Sequence, residues 1–189
     1  MQFSTIKFAI AALALCSNTV LGQTTPAQVV SNINMVTEKS QALQAPAQEI
    51  TAVNGALLAV GMGPFPKIIQ GFTEIVTITS TALQQMQGMP PVAAGPDAAA
   101  IAEAFRDFVR VHQALLNILI GKAGLLSTVP FVGAPVAAVL RSVESVVDTL
   151  AFSLIDSVEG QATQLNSDYN GLSSSLETAI KSYTGIVDI

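Results

Sequence analysis

Apolar residues recur in steps of three and four along most of this chain. The first such segment carries Val29, Ile33, Val36, Leu43, Ile50 and Leu57, with Pro46 as a kink or as a restart at a first helical turn. The second has Ile68, Phe72, Ile75, Thr79, Ala82 and Met86, and the third Ile101, Phe105, Phe108, His112, Leu115, Leu119 and Leu126. The fourth is "GAPVAAVLRSVESVVDTLAFSLIDSVEG" (133–160), and the fifth has Leu165, Tyr169, Leu172, Leu176, Ile180 and Tyr183. "GMGPFP" (61–66), "GMPPVAAGP" (88–96) and "STVPFVGAP" (127–135) separate them, since glycine and proline together interrupt helices, and Gly160 adds a weaker break. Asp97 stands where an N-cap is expected. No two-residue alternation competes, so the pattern predicts an all-α fold: one five-helix bundle with short turns marked by Pro and Gly.

On a helical wheel the fourth segment is too greasy for an ordinary surface helix. Arg141, Glu144, Ser145, Asp148, Asp156 and Glu159 gather on one side, with Phe152 among them. Val136, Val139, Leu140, Val143, Val146, Val147, Leu150, Leu154 and Val158 fill an arc of about 180°, against the roughly 100° a surface helix needs. The third segment sets Glu103, Arg106, Asp107, Arg110 and Asn117 opposite a broad face with His112 near its middle. Faces this wide are buried when a helix is central and touches neighbours on both sides. They can also enclose a slot for an apolar ligand, or lie on a hydrophobic solid or lipid surface.

Composition sharpens the anomaly: 11% of residues are charged, where about 25% is usual, and mean hydropathy is +0.54. Part of the excess is the start, "MQFSTIKFAIAALALCSNTVLGQ". There Lys7 precedes an apolar run from Phe8 to Leu15, which reads as a secretory signal peptide over residues 1–22 with cleavage after Gly22. The run is shorter than the roughly 20 residues of a membrane span. A lipidated Cys16 fits worse, because Leu15 stands where a small residue belongs. Removing 22 of the 189 residues leaves 167, one domain over 23–189. Cys16, the one cysteine, leaves with the signal, so no disulfide is expected and packing alone must hold the bundle. Lys7 also leaves, and 7 cations then face 13 anions, a formal charge of −6 without basic clusters. Nucleic acid and anionic headgroups are therefore poor partners. No Asn-x-Ser/Thr sequon follows the signal, and the ending "SYTGIVDI" carries no hydrophobic anchor tail.

Catalytic chemistry is thinly supplied. One histidine and no remaining cysteine offer no zinc or copper constellation, Gly-x-Ser-x-Gly is absent, and no Cys–His pair remains. The chain reads as a non-enzyme needing no metal or cofactor. Candidate residues lining a ligand slot are Phe72, Ile75 and Thr79; Phe105, Phe108, His112, Leu115 and Leu119; and Val139, Val143, Val147 and Leu150. A buried His112 can donate a hydrogen bond to the polar end of an apolar ligand, or be a core histidine satisfied by a neighbour. Thr79 and Ser80 are alternative anchors, although mid-helix hydroxyls usually bond back to their own helix. Lys122 suits a cap on helix carbonyls. Phe131 and Phe152 are candidate surface contacts, and Met62, Met86 and Met89 sit near loops as an adaptable mouth or as gap fillers.

Over residues 112–160, "HQALLNILIGKAGLLSTVPFVGAPVAAVLRSVESVVDTLAFSLIDSVEG", the chain resembles the fungal hydrophobic-surface-binding protein A family, which includes the antigenic cell-wall galactomannoproteins. In organisation the resemblance runs over about 27–183 and extends to the ending "LETAIKSYTG". It implies a secreted, extracellular or cell-wall-associated helical protein without catalytic activity. Its partners would be long-chain fatty acids or other apolar ligands, hydrophobic surfaces and a secreted polyester hydrolase such as a cutinase. The chain lacks the Ser/Thr-rich stalk and anchor signal of longer members, which favours a freely secreted form. Two roles remain open: a lipid held between helices, or an adaptor that coats hydrophobic material and recruits a hydrolase. A third class, the secreted plant four-helix enzyme inhibitor, relies on disulfides that this chain lacks.

Overall fold

The computed structural model describes residues 24–126 and 132–184. The expected signal peptide and Phe131 lie outside the described residues. Seven α-helices are present among those described: α1 Pro26–Ala42, α2 Gln44–Gln48, α3 Ala52–Gly55, α4 Pro64–Met86, α5 Pro96–Ala123, α6 Gly133–Ser157 and α7 Ala162–Thr184. Two 3-10 turns, Ala56–Val60 and Gly124–Leu126, complete the list of helical elements. The all-α expectation holds, and the count of five is corrected. The overturned part is the first segment, counted as one element from Val29 to Leu57 with Pro46 as a kink or a restart.

Two local causes divide that segment. Leu43 flattens to ψ −13° at the end of α1, and Pro46 in α2 has no N–H to continue the ladder. Thr51 then turns to extended backbone and caps α3. Its hydroxyl accepts from Asn54 N at 3.2 Å while Asn54 Oδ1 accepts from Thr51 N at 2.7 Å. Gly61 and Gly63, at φ 71° and 83°, reverse the chain into α4, whose first residue is Pro64. Asp97 is not the N-cap of α5. Gly95 holds that place, and Asp97 lies inside the first turn, where its charge faces the positive end of the helix dipole.

The five long helices close a ring. α1 packs on α4 and α5, α4 on α6, α6 on α7, and α7 on α5. α4 and α5 are consecutive in sequence yet face each other across the interior, where the Phe72 and His112 rings lie 6.0 Å apart. Gly71 lets α1 approach α4 closely, because a Cβ there would meet the Leu43 side chain. α2 and α3 sit at the end of the ring where α4 begins, with α2 against α1, α4 and α5. At the other end Val92 pairs with Val158, its N–H donating to Ser157 O at 2.7 Å and its carbonyl accepting from Glu159 N at 2.9 Å.

The wide apolar arcs of the third and fourth segments are consumed by this arrangement. α5 touches α1 and α7, α6 touches α4 and α7, and both also face inward. Val136, Leu140, Val143, Val147 and Leu154 of α6 are fully buried, as are Ile101, Phe105, Phe108, Leu115, Leu116 and Leu119 of α5. No helix among the described residues is long and apolar enough to cross a membrane.

Candidate functional site

The centre of the ring is aromatic and contains one imidazole. His112 is completely buried, with Phe108 at 5.3 Å and Phe72 at 6.0 Å between ring centroids. Ser40 of α1 is its polar neighbour. The Ser40 hydroxyl donates to Val36 O at 2.9 Å, and its oxygen also lies 2.8 Å from His112 Nδ1. A hydroxyl has one proton, and a carbonyl can only accept. If the hydroxyl keeps its bond to Val36 O, Nδ1–H donates to Ser40 and Nε2 carries a lone pair. Nε2 is buried without a partner. The expected hydrogen bond from His112 to a carboxylate needs the other tautomer, since with Nδ1 protonated the unpartnered nitrogen is an acceptor. It suits an O–H, as in a protonated acid or an alcohol. Burial pushes the imidazole pKa down to about 4, so the ring is neutral near pH 7.

A second orphan lies along α4. Thr73, Thr77 and Thr81 each bond the carbonyl four residues back at 2.9 Å. Thr79, fully buried, has an Oγ1 with no partner. It borders a cavity of about 10 Å³ lined by Val29, Asn32, Ile33 and Val36 of α1, Thr79, Ala82 and Met86 of α4, and Leu150 of α6. The space is at most that of one water, which would find too few polar partners there. A buried polar atom left unbonded costs about 1–3 kcal/mol, so the interior holds two such penalties.

All twelve residues expected to line a slot are buried, Val139 the most open of them at 9%. Phe72, Phe108 and His112 form one cluster, while Thr79 and Leu150 border the cavity. The others are packed in the core. Ser80 is only half-buried. Sequence reasoning missed the part played by α1, whose Ser40, Asn32, Ile33 and Val36 touch both orphan sites. The signal available was a pair of polar residues, Asn32 and Ser40, on the apolar side of α1.

The α2–α3 end has different chemistry. Val53, Val60 and Met62 are 83%, 68% and 61% exposed, with Leu57 and Leu125 also open, and α3 touches the Gly124–Leu126 turn. Lys122 Nζ donates to Gln48 O at 2.7 Å and Ile50 O at 3.0 Å, so it caps carbonyls at the end of α2. Met86 is buried at the cavity and Met89 packs against the core, so of the three loop methionines only Met62 is open. Phe152 is half-exposed, its ring 5.1 Å from Tyr169. Among the described residues no group of three His, Cys, Asp or Glu side chains is placed to hold a metal ion.

No family model and no curated protein sequence matches the chain. The fold is that of solved helical proteins with fatty acids bound. Afmp4p in complex with palmitic acid is 16% identical, the match covering 84% of this chain and 99% of that one with a TM-score of 0.73. Ligand binding domain 2 of the Penicillium marneffei MP1 protein, complexed with multiple arachidonic acids, is 17% identical, covering 84% and 94% with a TM-score of 0.67. At these identities the likeness is one of fold.

Proposed function

We propose that this protein is a secreted, non-catalytic carrier that takes a long-chain fatty acid or similar lipid into its helical ring. The observation that carries the reading is the fold shared with two proteins solved around palmitic and arachidonic acids. The unpartnered polar atoms of Thr79 and His112 in an otherwise greasy interior support it. Among the described residues the twelve candidate side chains are buried, so the ring would widen to take a chain between them, as a bundle held by side-chain packing without disulfides can. Faces from α4, α5 and α6, carrying the twelve residues above, would line the widened slot. Native mass spectrometry of the secreted protein tests this through co-purified lipid, and N-terminal sequencing tests removal of residues 1–22. Titration with a fluorescent fatty acid should saturate at a fixed ratio and reverse with unlabelled acid. Loss onto oil or beads without saturation would reject the carrier reading.

A second reading, an adaptor that coats hydrophobic material and recruits a secreted hydrolase, draws on the exposed Val53, Val60 and Met62. Adsorption to polyester beads followed by enhanced retention of a cutinase would favour it.

A further inference from the structure

The seam between α1 and α4 borders two spaces. On its outer side an open groove of about 420 Å³ is lined by Lys39, Gln70, Thr73, Glu74, Thr77 and Ile78, and the Lys39–Glu74 pair stands beside it at 2.7 Å. On its inner side lies the small cavity bordered by Thr79, Ala82 and Met86. The two follow one another along α4, residues 70–78 and then 79–86, about 24 Å in all at the rise of a helix. α1 covers the inner cavity with a partly polar underside, held by Asn32 Nδ2 donating to Gln85 Oε1 at 2.9 Å and by the Ser40–His112 contact.

We infer that the inner cavity seats the polar end of the lipid, that Thr79 Oγ1 hydrogen-bonds it, and that the group it accepts is uncharged. Two observations fix that chemistry. The Thr79 hydroxyl is wholly buried, unpartnered and the sole orphan polar atom on the cavity wall. No lysine, arginine or histidine lines the cavity, so a carboxylate or sulfate there would be buried without a counter-charge. A protonated carboxylic acid or a primary alcohol can both give and take a hydrogen bond at a hydroxyl. The rest of the chain would lie along the seam with α1 displaced outward. This inference rests on the carrier reading and adds the head-group chemistry and its place.

The test uses the full secreted chain and displacement of a fluorescent fatty acid by palmitic acid, 1-hexadecanol, n-hexadecane and hexadecyl sulfate, the last charged at every pH. Thr79→Val, which keeps shape and removes the hydroxyl, should weaken palmitic acid and hexadecanol about 5- to 30-fold, the loss of one buried hydrogen bond. It should leave n-hexadecane unchanged. Ala82→Leu, which fills the cavity, should weaken the acid and the alcohol at least as much, while Thr149→Val on the exposed side of α6 should match wild type. Hexadecyl sulfate should displace poorly. If wild type binds and Thr79→Val and Ala82→Leu bind as well as it does, the head-group site is wrong and the carrier reading stands. Equal displacement by hexadecyl sulfate overturns the uncharged specificity. If wild type takes up none of the probes, both fall together.

Discussion

The Ser40 hydroxyl oxygen lies 2.8 Å from His112 Nδ1, a polar link between α1 and α5 inside an apolar ring. Ser40→Ala leaves His112 Nδ1 buried and unbonded. The expected cost is about 1–3 kcal/mol of unfolding free energy, read from the midpoint shift in urea. A change within experimental error would show that the link does not hold α1 in place.

The same imidazole makes stability depend on pH. Its pKa is about 4 in the folded state and near 6.5 when unfolded, so between these values the unfolded chain binds the proton and the folded chain resists it. Stability from this group is complete above pH 6.5 and is lost as pH falls towards 4, by about 3 kcal/mol. Glu144 works the other way. Desolvation, with Asp148 and Glu177 nearby, raises its pKa, so it favours the folded state on acidification. Subtracting the pH profile of His112→Leu from that of wild type should isolate the histidine part as a fall between pH 6.5 and 4.

Gly61 and Gly63 both sit at positive φ, yet they should respond differently to alanine. A Cβ on Gly61 meets nothing within 4 Å, whereas one on Gly63 meets the Asn54 carbonyl oxygen at 2.8 Å. Gly61→Ala should cost about 1 kcal/mol and Gly63→Ala clearly more, since backbone cannot step aside as a side chain can. Thermal melts of the two variants compare them directly.

Much of this was legible in the sequence. The limits of α4, α5, α6 and α7 fall at glycine and proline clusters or at Gly160, because these residues act locally wherever they occur. The break near Pro46 was legible only as a kink or a restart, and the one after Gln48 was not legible. They arise from a flattened Leu43, a proline within α2 and a cap made by Thr51 and Asn54, none of which interrupts the apolar spacing. Periodicity also showed which face of each helix is buried and not which helix covers it. The pairing of α1 with α5 and of α4 with α6 joins elements far apart in the chain, so the walls supplied by α1 were missed. Thr79 and His112 stood out as polar residues on apolar arcs. Their missing partners became visible only once the neighbouring side chains were in place.

Val147 is fully buried on α6. Val147→Asp puts a carboxylate there without a partner, and the expected result is loss of the cooperative transition or a penalty above about 3 kcal/mol. Circular dichroism against temperature decides this. A folded variant of wild-type stability would show that this face of α6 is not part of the core.

Replacing Val53, Val60 and Met62 together by serine should leave the melting temperature nearly unchanged, because these side chains are mostly open to solvent. If the end patch drives adsorption, the variant should stay in solution over hydrophobic beads that deplete wild type. Its affinity for a soluble fatty acid should not change. Equal depletion of both proteins would place adsorption elsewhere on the surface.

The Val92–Val158 pairing ties the loop between α4 and α5 to the turn between α6 and α7 through two short backbone bonds. Two hairpins fastened at one end behave like the arms of tweezers. Whatever load parts them is felt most at the far end, where α2 sits against α4 and α5. Swelling of this molecule should therefore be lopsided, with amides around residues 48–63 exchanging with solvent sooner than those beside Val92 and Glu159.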